Sequence, residues 1–296
     1  MDSLCRACPR ECNALRPKEI GFCGVADSKI ARAALHFYEE PPISGTRGSG
    51  AIFFVGCNMR CVFCQNSEIS ANAFNGKTVN SKQLSKIMLK LQDLGAHNIN
   101  LVTPAPHLKL IAEAIVNAKS AGLSIPIVYN TNAYETVAAI KSLNGLVDIF
   151  LPDLKYIDPA LSEMFSKTRD YFKFAAPAID AMFNMVGDLT SDENNIAKSG
   201  VLIRHLVLPG CLSESRRILD YIKESYGASV HYSLMCQYFP AYRANNYPAI
   251  NRKLTQGERK RIIEYAIFKD LTNGYIQDLE SASEFYVPSW DLTDDN

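Results

Sequence analysis

Three cysteines lie close together in one short stretch with the spacing Cys-x3-Cys-x2-Cys: Cys57, Cys61 and Cys64. An iron–sulfur cubane held by three thiolates keeps one iron open to a small molecule, whereas structural metal sites normally close all four positions. The loop follows an apolar run, 51–55, that is typical of a buried strand. The spacing therefore predicts a catalytic [4Fe-4S] cluster. Two alternatives are a zinc site that lacks its fourth ligand and three unrelated buried cysteines.

A second set of cysteines occupies the first part of the chain with the spacing Cys-x2-Cys-x3-Cys-x10-Cys: Cys5, Cys8, Cys12 and Cys23. They could form a complete tetrathiolate site for zinc or for a second iron–sulfur cluster, and the spacing does not choose between the two metals. We expect a structural role rather than an electron relay, because closed four-ligand sites are usually structural and a loop-rich segment needs such a staple.

Composition narrows the class of protein. The chain has 296 residues, 47% of them apolar, with 31 basic and 31 acidic side chains. The zero net charge gives no electrostatic signal for bulk nucleic-acid binding, and no stretch approaches the length of a membrane span. Nine cysteines in a long, core-rich chain, most of them clustered, favour metal binding over disulfides. We therefore expect a protein of the reducing cytoplasm.

Apolar runs alternate with amphipathic stretches from about residue 51 onward. Strands are predicted at 51–56, 98–103, 125–130, 147–152, 201–208 and 229–235. Helices are predicted at 81–94, 107–121, 134–142, 171–186, 213–225 and 255–272. Strands that are each followed by a helical crossover imply a parallel sheet, and six such units fall short of the eight of a complete barrel.

The expected fold class is thus α/β, a partial, TIM-like (β/α)6 barrel with a loop-rich N-terminal cysteine segment. We assign 1–50 to the four-cysteine, metal-binding extension, in which no helix is predicted. We assign 51–296 to the barrel with its C-terminal helix and a polar tail at 291–296.

The site should lie at the carboxyl ends of the strands, where parallel β/α folds bind their ligands. Asp153 and Lys155 end the fourth predicted strand, and residues two apart in an extended segment share a face. Lys155 could pair with a ligand carboxylate, and Asp153 could orient Lys155 or help to bind a cation. The alternative is a solvated ion pair of little energetic value.

Other polar residues follow the neighbouring strands. Asn130 and Thr131 could donate hydrogen bonds to a ribose or a carboxylate, although both types also favour turns. Thr103 closes the second strand. In the fifth strand, Arg204 and His205 should point to opposite sides. Arg204 could bind a carboxylate, whereas a satisfied core histidine is the favoured interpretation of His205.

With these motifs the chain resembles the radical S-adenosylmethionine (SAM) superfamily. More closely, it resembles the pyruvate formate-lyase-activating-enzyme-related proteins, the PflX-like branch. The segments that carry the resemblance are the N-terminal Cys-x2-Cys-Pro-Arg-x-Cys, 36–45, the three-cysteine loop, 98–104, 151–156 and 233–240.

The resemblance implies a [4Fe-4S] cluster on the three-cysteine loop, with SAM chelating the open iron. One electron would cleave SAM to methionine and a 5′-deoxyadenosyl radical, which abstracts hydrogen from a substrate. In activating enzymes the segment that matches Asp153 to Lys155 contacts the methionyl group of SAM, and the segment that matches Asn130 and Thr131 lies beside it. Implied partners are an electron donor of the flavodoxin or ferredoxin type and a glycyl-radical enzyme.

Two departures from the family pattern weaken the prediction of glycyl-radical activation. The Gly-Gly-Glu motif that usually holds the SAM amino group is replaced by 102–106, Val-Thr-Pro-Ala-Pro, and Asn130 stands where activating enzymes usually carry Asp. Two alternatives therefore stay open. One is radical modification of a small molecule or another macromolecule, and the other is a non-catalytic iron–sulfur binding protein.

Overall fold

The computed structural model describes residues 3–6, 8–71, 76–277, 283, 288 and 290, so the predicted polar tail, 291–296, lies outside the described residues. The strands are β1 (Ser3–Leu4), β2 (Leu15–Arg16), β3 (Lys29–His36), β4 (Ser49–Phe54), β5 (Lys77–Thr78), β6 (Ile99–Val102), β7 (Ile127–Thr131), β8 (Ile149–Pro152), β9 (Thr190–Ser191), β10 (Ala197–Val201), β11 (Ile203–Leu206), β12 (Tyr232–Met235) and β13 (Gly274–Ile276). The helices are α1 (Pro41–Ser44), α2 (Ser67–Ser70), α3 (Ser81–Asp93), α4 (Leu108–Ser120), α5 (Val137–Lys141), α6 (Pro159–Ser166), α7 (Tyr171–Val186), α8 (Leu212–Tyr226) and α9 (Gln256–Phe268).

A series of parallel strands forms the core of the fold. β4, β6, β7 and β8 pair in that order, all in parallel. β8 then pairs with β10 and is joined to β11 by a parallel bridge between Asp153 and Arg204. β11 continues through β12 to β13, again in parallel. Long helices lie between successive strands, which confirms the predicted α/β partial barrel.

Several elements differ from the prediction, which did not include helices α2 and α6 or the short strands β1, β2, β5 and β9. The predicted strand 201–208 is divided into β10 and β11, which adjoin different parts of the sheet. The predicted helix 255–272 ends at Phe268, and the chain then forms a seventh parallel position, β13. β3 lies within the segment predicted to be loop-rich and pairs antiparallel with β4. β13 lies at the edge of its sheet and β3 lies second from the edge of its own. There, pairing with a neighbour matters more than the sequence of the strand itself, which explains why neither was predicted.

The short helix α1 is a further difference, because no helix was predicted in 1–50. Pro41 stands in its first turn, where the missing N–H costs nothing. Its Ile43 is fully buried. α1 therefore depends on burial rather than on helix propensity, since four residues are too few to form a stable helix alone.

Two of the long helices begin with capping boxes. Asn80 and Gln83 form a reciprocal capping box at the start of α3, and Thr255 and Glu258 form another at the start of α9. Among the helices in the described part of the chain, none has the length and apolar character that a bilayer span requires.

Candidate functional site

A cavity of about 260 Å³ lies at the carboxyl ends of the parallel strands. It brings together the three cysteines of the cluster loop, Cys57, Cys61 and Cys64, and all of the predicted cofactor residues: Thr103, Asn130, Thr131, Asp153, Lys155 and Arg204. These residues come from five loops or strands that are far apart in the chain. The cavity therefore lies where the strand topology predicts it, while the role of each residue stays a prediction.

Each sulfur of the cluster loop lies within hydrogen-bonding distance of a polar side chain: Asn132 at 3.4 Å from Cys57, Ser166 at 3.1 Å from Cys61, and Ser70 at 3.2 Å from Cys64. Donors directed at sulfur stabilise the thiolate form and tune the reduction potential of an iron–sulfur cluster. Sequence reasoning missed all three partners. Ser166 in particular ends a helix that is distant from the loop in sequence.

The thiols of this loop need a positive ligand before they ionise. Burial raises the pKa of Cys57 to about 12 and that of Cys64 to about 11, and the positive charge of Lys155 opposes both shifts. Metal binding requires the thiolate form. Among the described residues, no three side chains of His, Cys, Asp or Glu are arranged to hold one metal ion. A cubane instead takes one thiolate on each of several irons. Three buried thiols with hydrogen-bond donors and a nearby ammonium fit such a cluster.

Asp153 lies between two cations at the base of the cavity. Its Oδ2 accepts a 2.7 Å hydrogen bond from Lys155 Nζ, and its Oδ1 lies 2.8 Å from Arg204 Nη2. Burial would raise the pKa of Asp153, but Arg204 and then Lys155 outweigh it and hold the pKa below its usual value. The three side chains are largely buried and remain charged. They form a fixed ion cluster, which excludes the solvated-pair interpretation.

Thr131 and Thr103 meet the cavity in different ways. The Thr131 hydroxyl donates its proton to buried Glu135, so towards a ligand it can only accept. Burial raises the pKa of Glu135 to about 7.

Thr103 has φ +59, a left-handed conformation that is rare for a β-branched residue, and its N–H donates to the Asn130 carbonyl at 3.1 Å.

His205 takes no part in the cavity. It is buried on the other side of β11, where Nδ1 lies 2.8 Å from the Leu154 carbonyl and Nε2 lies 2.8 Å from Ser215 Oγ. Burial lowers its pKa to about 4. The prediction of a satisfied core histidine is confirmed, and Arg204 alone of this pair lines the cavity.

The N-terminal cysteines share one neighbourhood. Burial raises the pKa of Cys8 to about 11, and the nearby thiols of Cys5, Cys23 and Cys12 raise it further. Cys23 is buried and accepts a 2.6 Å hydrogen bond on its sulfur from Arg16. Among the described residues, however, these cysteines are not arranged as a group of three or more ligands around one metal ion, so the tetrathiolate site stays a prediction.

The N-terminal segment packs directly on the cluster loop. The N–H of Cys57 donates to the carbonyl of Cys23 at 3.1 Å, and Arg10 Nε donates to the Asn58 carbonyl at 3.0 Å. Gly56 has φ +86, and a Cβ atom there would stand 2.6 Å from the Cys23 carbonyl oxygen. Glycine is therefore required both for the turn and for the contact between the two segments.

Solved structures with a similar fold include SuiB of Streptococcus suis bound to S-adenosylmethionine, with a TM-score of 0.53 and 16% identity over 77% of this chain. The FeFe-hydrogenase maturase HydG of Carboxydothermus hydrogenoformans gives a TM-score of 0.52 and 15% identity over 74% of this chain. This chain spans about half the length of each, 52% and 50% respectively. At this identity the likeness is one of fold.

Sequence comparison is more specific. "Uncharacterized protein MJ0674" of Methanocaldococcus jannaschii is 34% identical over 275 residues, which cover 88% of this chain and 74% of that protein. The model of the Radical SAM superfamily matches residues 51–210, the part that holds the cluster loop and every predicted cofactor residue. Membership in that family implies a [4Fe-4S] cluster and SAM. With three thiols, an ion cluster and a parallel β/α frame meeting in one cavity, the chain belongs to the radical SAM superfamily.

Proposed function

We propose that this protein binds a [4Fe-4S] cluster on Cys57, Cys61 and Cys64 and cleaves SAM reductively in the cavity beside it. The observation that carries the proposal is the meeting of three hydrogen-bonded thiols with the Asp153–Lys155 pair in that cavity. When bound and reduced, the cluster supplies the electron that cleaves SAM to methionine and a 5′-deoxyadenosyl radical.

The chain's own residues would bind and shield the cofactors. Lys155 presents an ammonium group suited to the carboxylate of SAM, and Asp153 fixes the direction of that group. Thr131 and Thr103 offer acceptor oxygens at the ends of neighbouring strands. Met59 and Phe63 are buried apolar residues of the cavity wall, and they exclude water from the reacting carbon.

The finer proposal is that the substrate is a glycine in a partner protein, so that the enzyme forms a glycyl radical. One observation supports a protein substrate. Tyr38 lines the cavity and is 50% exposed, and the neighbouring Phe37 is 51% exposed, which gives the rim an apolar contact surface.

A small polar molecule is the second candidate substrate. The side chains of Glu39, Gln65 and Gln237 line the same cavity as the Asp153 ion cluster. Polar lining residues of this kind suit a compact ligand with hydrogen-bonding groups. In either case we propose a flavodoxin- or ferredoxin-type electron donor and a reducing, cytoplasmic setting.

We also propose that Cys5, Cys8, Cys12 and Cys23 bind zinc or a second iron–sulfur cluster with a structural role. The backbone contact between Cys23 and Cys57 supports this proposal. A metal there would hold the N-terminal segment against the cluster loop.

The test is anaerobic. The protein is reconstituted with iron and sulfide, reduced and given SAM, and 5′-deoxyadenosine is measured by chromatography, with Cys61→Ala as the control. We expect product from the wild type and none from the variant. A fully loaded, reducible cluster that yields no product with or without candidate substrates contradicts the proposal. A glycyl-radical signal in electron paramagnetic resonance (EPR), on a partner mixed with the enzyme, separates the two substrate classes.

A further inference from the structure

Glu39 lies outside the parallel strands, in the short segment between β3 and α1. This segment has a rigid base. Ile43 in α1 belongs to one buried apolar cluster with Val128 of β7 and Leu151 of β8. The carbonyl of Ile43 also accepts a 2.7 Å hydrogen bond from the side chain of Asn98. Glu39 therefore reaches the cavity from a fixed, buried position rather than from a free loop.

Both carboxylate oxygens of Glu39 are engaged. Oε1 accepts hydrogen bonds of 3.1 Å from the side chains of Asn100 and Asn130, and Oε2 accepts one of 3.1 Å from Arg204 Nη1. Asn100 belongs to β6, Asn130 to β7 and Arg204 to β11. A single side chain thus connects three strands around the base of the cavity, and its negative charge faces the guanidinium group.

These contacts extend to the cluster loop as a chain of alternating charges. Glu39 holds Arg204, Arg204 lies 2.8 Å from Asp153, and Asp153 accepts a 2.7 Å hydrogen bond from Lys155. Lys155 stands last in this sequence and lines the cavity with Cys61. A lysine side chain is flexible, so the direction of its ammonium group depends on the groups that hold it.

Removal of the charge on Glu39 would disturb this arrangement through Arg204. The next nearest carboxylate is that of Glu40, whose Oε2 lies 3.7 Å from Arg204 Nη1. That oxygen is buried and has no hydrogen-bond partner. Without the charge on Glu39, Nη1 of Arg204 would lose its 3.1 Å partner and keep only the longer contact with Glu40, so the guanidinium group would be fixed less firmly against Asp153. Asp153 would then hold Lys155 less firmly.

We propose that Glu39 is a positioning residue for SAM binding, which acts through Arg204 and Asp153 to aim the Lys155 ammonium group into the cavity. This inference rests on the proposed function. Glu39 belongs to the 36–45 segment, to which the sequence analysis gave no role. The segment would thus supply the carboxylate that completes the chain of alternating charges.

The test measures SAM binding to the reconstituted, unreduced holoenzyme by anaerobic calorimetry. We expect Glu39→Gln to raise the Kd for SAM about tenfold, since one charge-assisted contact is lost from the positioning chain. Glu39→Asp, which keeps the charge, should recover part of the affinity. Glu40→Gln is the matched control and should have a smaller effect, because its Oε2 makes no hydrogen bond to Arg204.

A double-mutant cycle separates positioning from a general structural role. Arg204→Met should weaken SAM binding by itself, and adding Glu39→Gln should then change little, because Glu39 acts through Arg204. Additive effects overturn the proposal, as does wild-type affinity in Glu39→Gln. Loss of bound iron or an altered SAM-free EPR spectrum in Glu39→Gln also overturns it, in favour of a structural role. If the wild-type holoenzyme itself binds no SAM, the proposed function fails and this inference fails with it.

Discussion

The two sets of cysteines differ in what holds them. In the cluster loop, each sulfur is next to a polar side chain contributed by the surrounding fold, and the loop is enclosed by buried residues such as Met59 and Phe63. In the N-terminal segment, Cys23 is buried, Cys5 and Cys8 are half-buried like the three cysteines of the cluster loop, and Cys12 is exposed. The local strands β1 and β2 have two residues each. One set is positioned by the barrel, and the other has little core of its own.

Cysteine ligands can thus be positioned by the fold in one region and contribute to folding in another. The surrounding fold supplies a polar side chain to each sulfur of the cluster loop, so a metal bound there would add chemistry to a site that the fold itself positions. The N-terminal segment has too few apolar contacts to order itself, so its metal would contribute directly to its folding. Equivalent substitutions in the two regions should therefore give different results.

The largest expected effect is that of Cys64→Ser. Loss of one of three thiolate ligands should lower the rate of 5′-deoxyadenosine formation at least about a hundredfold, because the cluster is no longer held with one iron open. The melting temperature should stay close to that of the wild type, since the barrel does not depend on the cluster. Cys211→Ser, a half-buried cysteine elsewhere, is the matched control. A rate within tenfold of the wild type contradicts the assignment.

Cys8→Ser should have the opposite profile. We expect a lower melting temperature, faster proteolysis before residue 25, and a loss of activity of only about two- to tenfold through the Cys23–Cys57 contact. Elemental analysis of wild type and variant identifies the metal that is lost. Unchanged metal content together with unchanged protease resistance would show that the four cysteines bind no metal.

The sequence was informative where ligands are local. The spacing of Cys57, Cys61 and Cys64 is encoded within one loop, and the ends of parallel strands must meet at one edge of the sheet. The strand topology therefore predicted that Asp153, Lys155 and Arg204 line one cavity. The same reasoning separated Arg204 from His205, since neighbouring residues in a strand point to opposite sides.

Sequence patterns did not identify hydrogen-bond or ion-pair partners that come from distant segments. Ser166 reaches Cys61 from the end of α6, and Glu39 reaches Arg204 across 165 positions of the chain. No periodicity links such residues, because their contact depends on how helices and loops pack on the sheet. β3 and β13 were missed for a related reason, since both are stabilised by pairing with a neighbour rather than by a pattern of their own.

Ser166→Ala removes one of the hydrogen bonds that the barrel supplies to a sulfur of the cluster loop. We expect the cluster to assemble normally and its reduction potential to fall by some tens of millivolts, because a donor that stabilises the reduced, more negative form is lost. An EPR-monitored redox titration measures the shift. Ser162→Ala is the control, since this buried serine of the same helix bonds to Thr168 and not to a cluster cysteine. Equal potentials in wild type and Ser166→Ala contradict the prediction.

The smallest expected effect is the loss of stability that comes from burying Glu135. Glu135 is fully buried beneath Thr131, and burial raises its pKa from 4.5 to about 7. An acid with a raised folded-state pKa takes up its proton as the pH falls through 7, so its stabilising effect is greatest at low pH and is lost as the pH rises. Glu135→Gln does not titrate. Its free energy of unfolding relative to the wild type should therefore increase by about 1–3 kcal/mol between about pH 5.5 and pH 8.

Urea unfolding of both proteins at the two pH values measures this difference. The buried histidines His107 and His205 also titrate abnormally, but they are present in both proteins and cancel in the comparison. A constant difference between the two proteins would mean that Glu135 is ionised in the folded state across this range. The hydroxyl donors Tyr129 and Thr131 would then outweigh burial. A pH-dependent difference would instead show that burying the carboxyl group of Glu135 beneath the site lowers the stability of the fold.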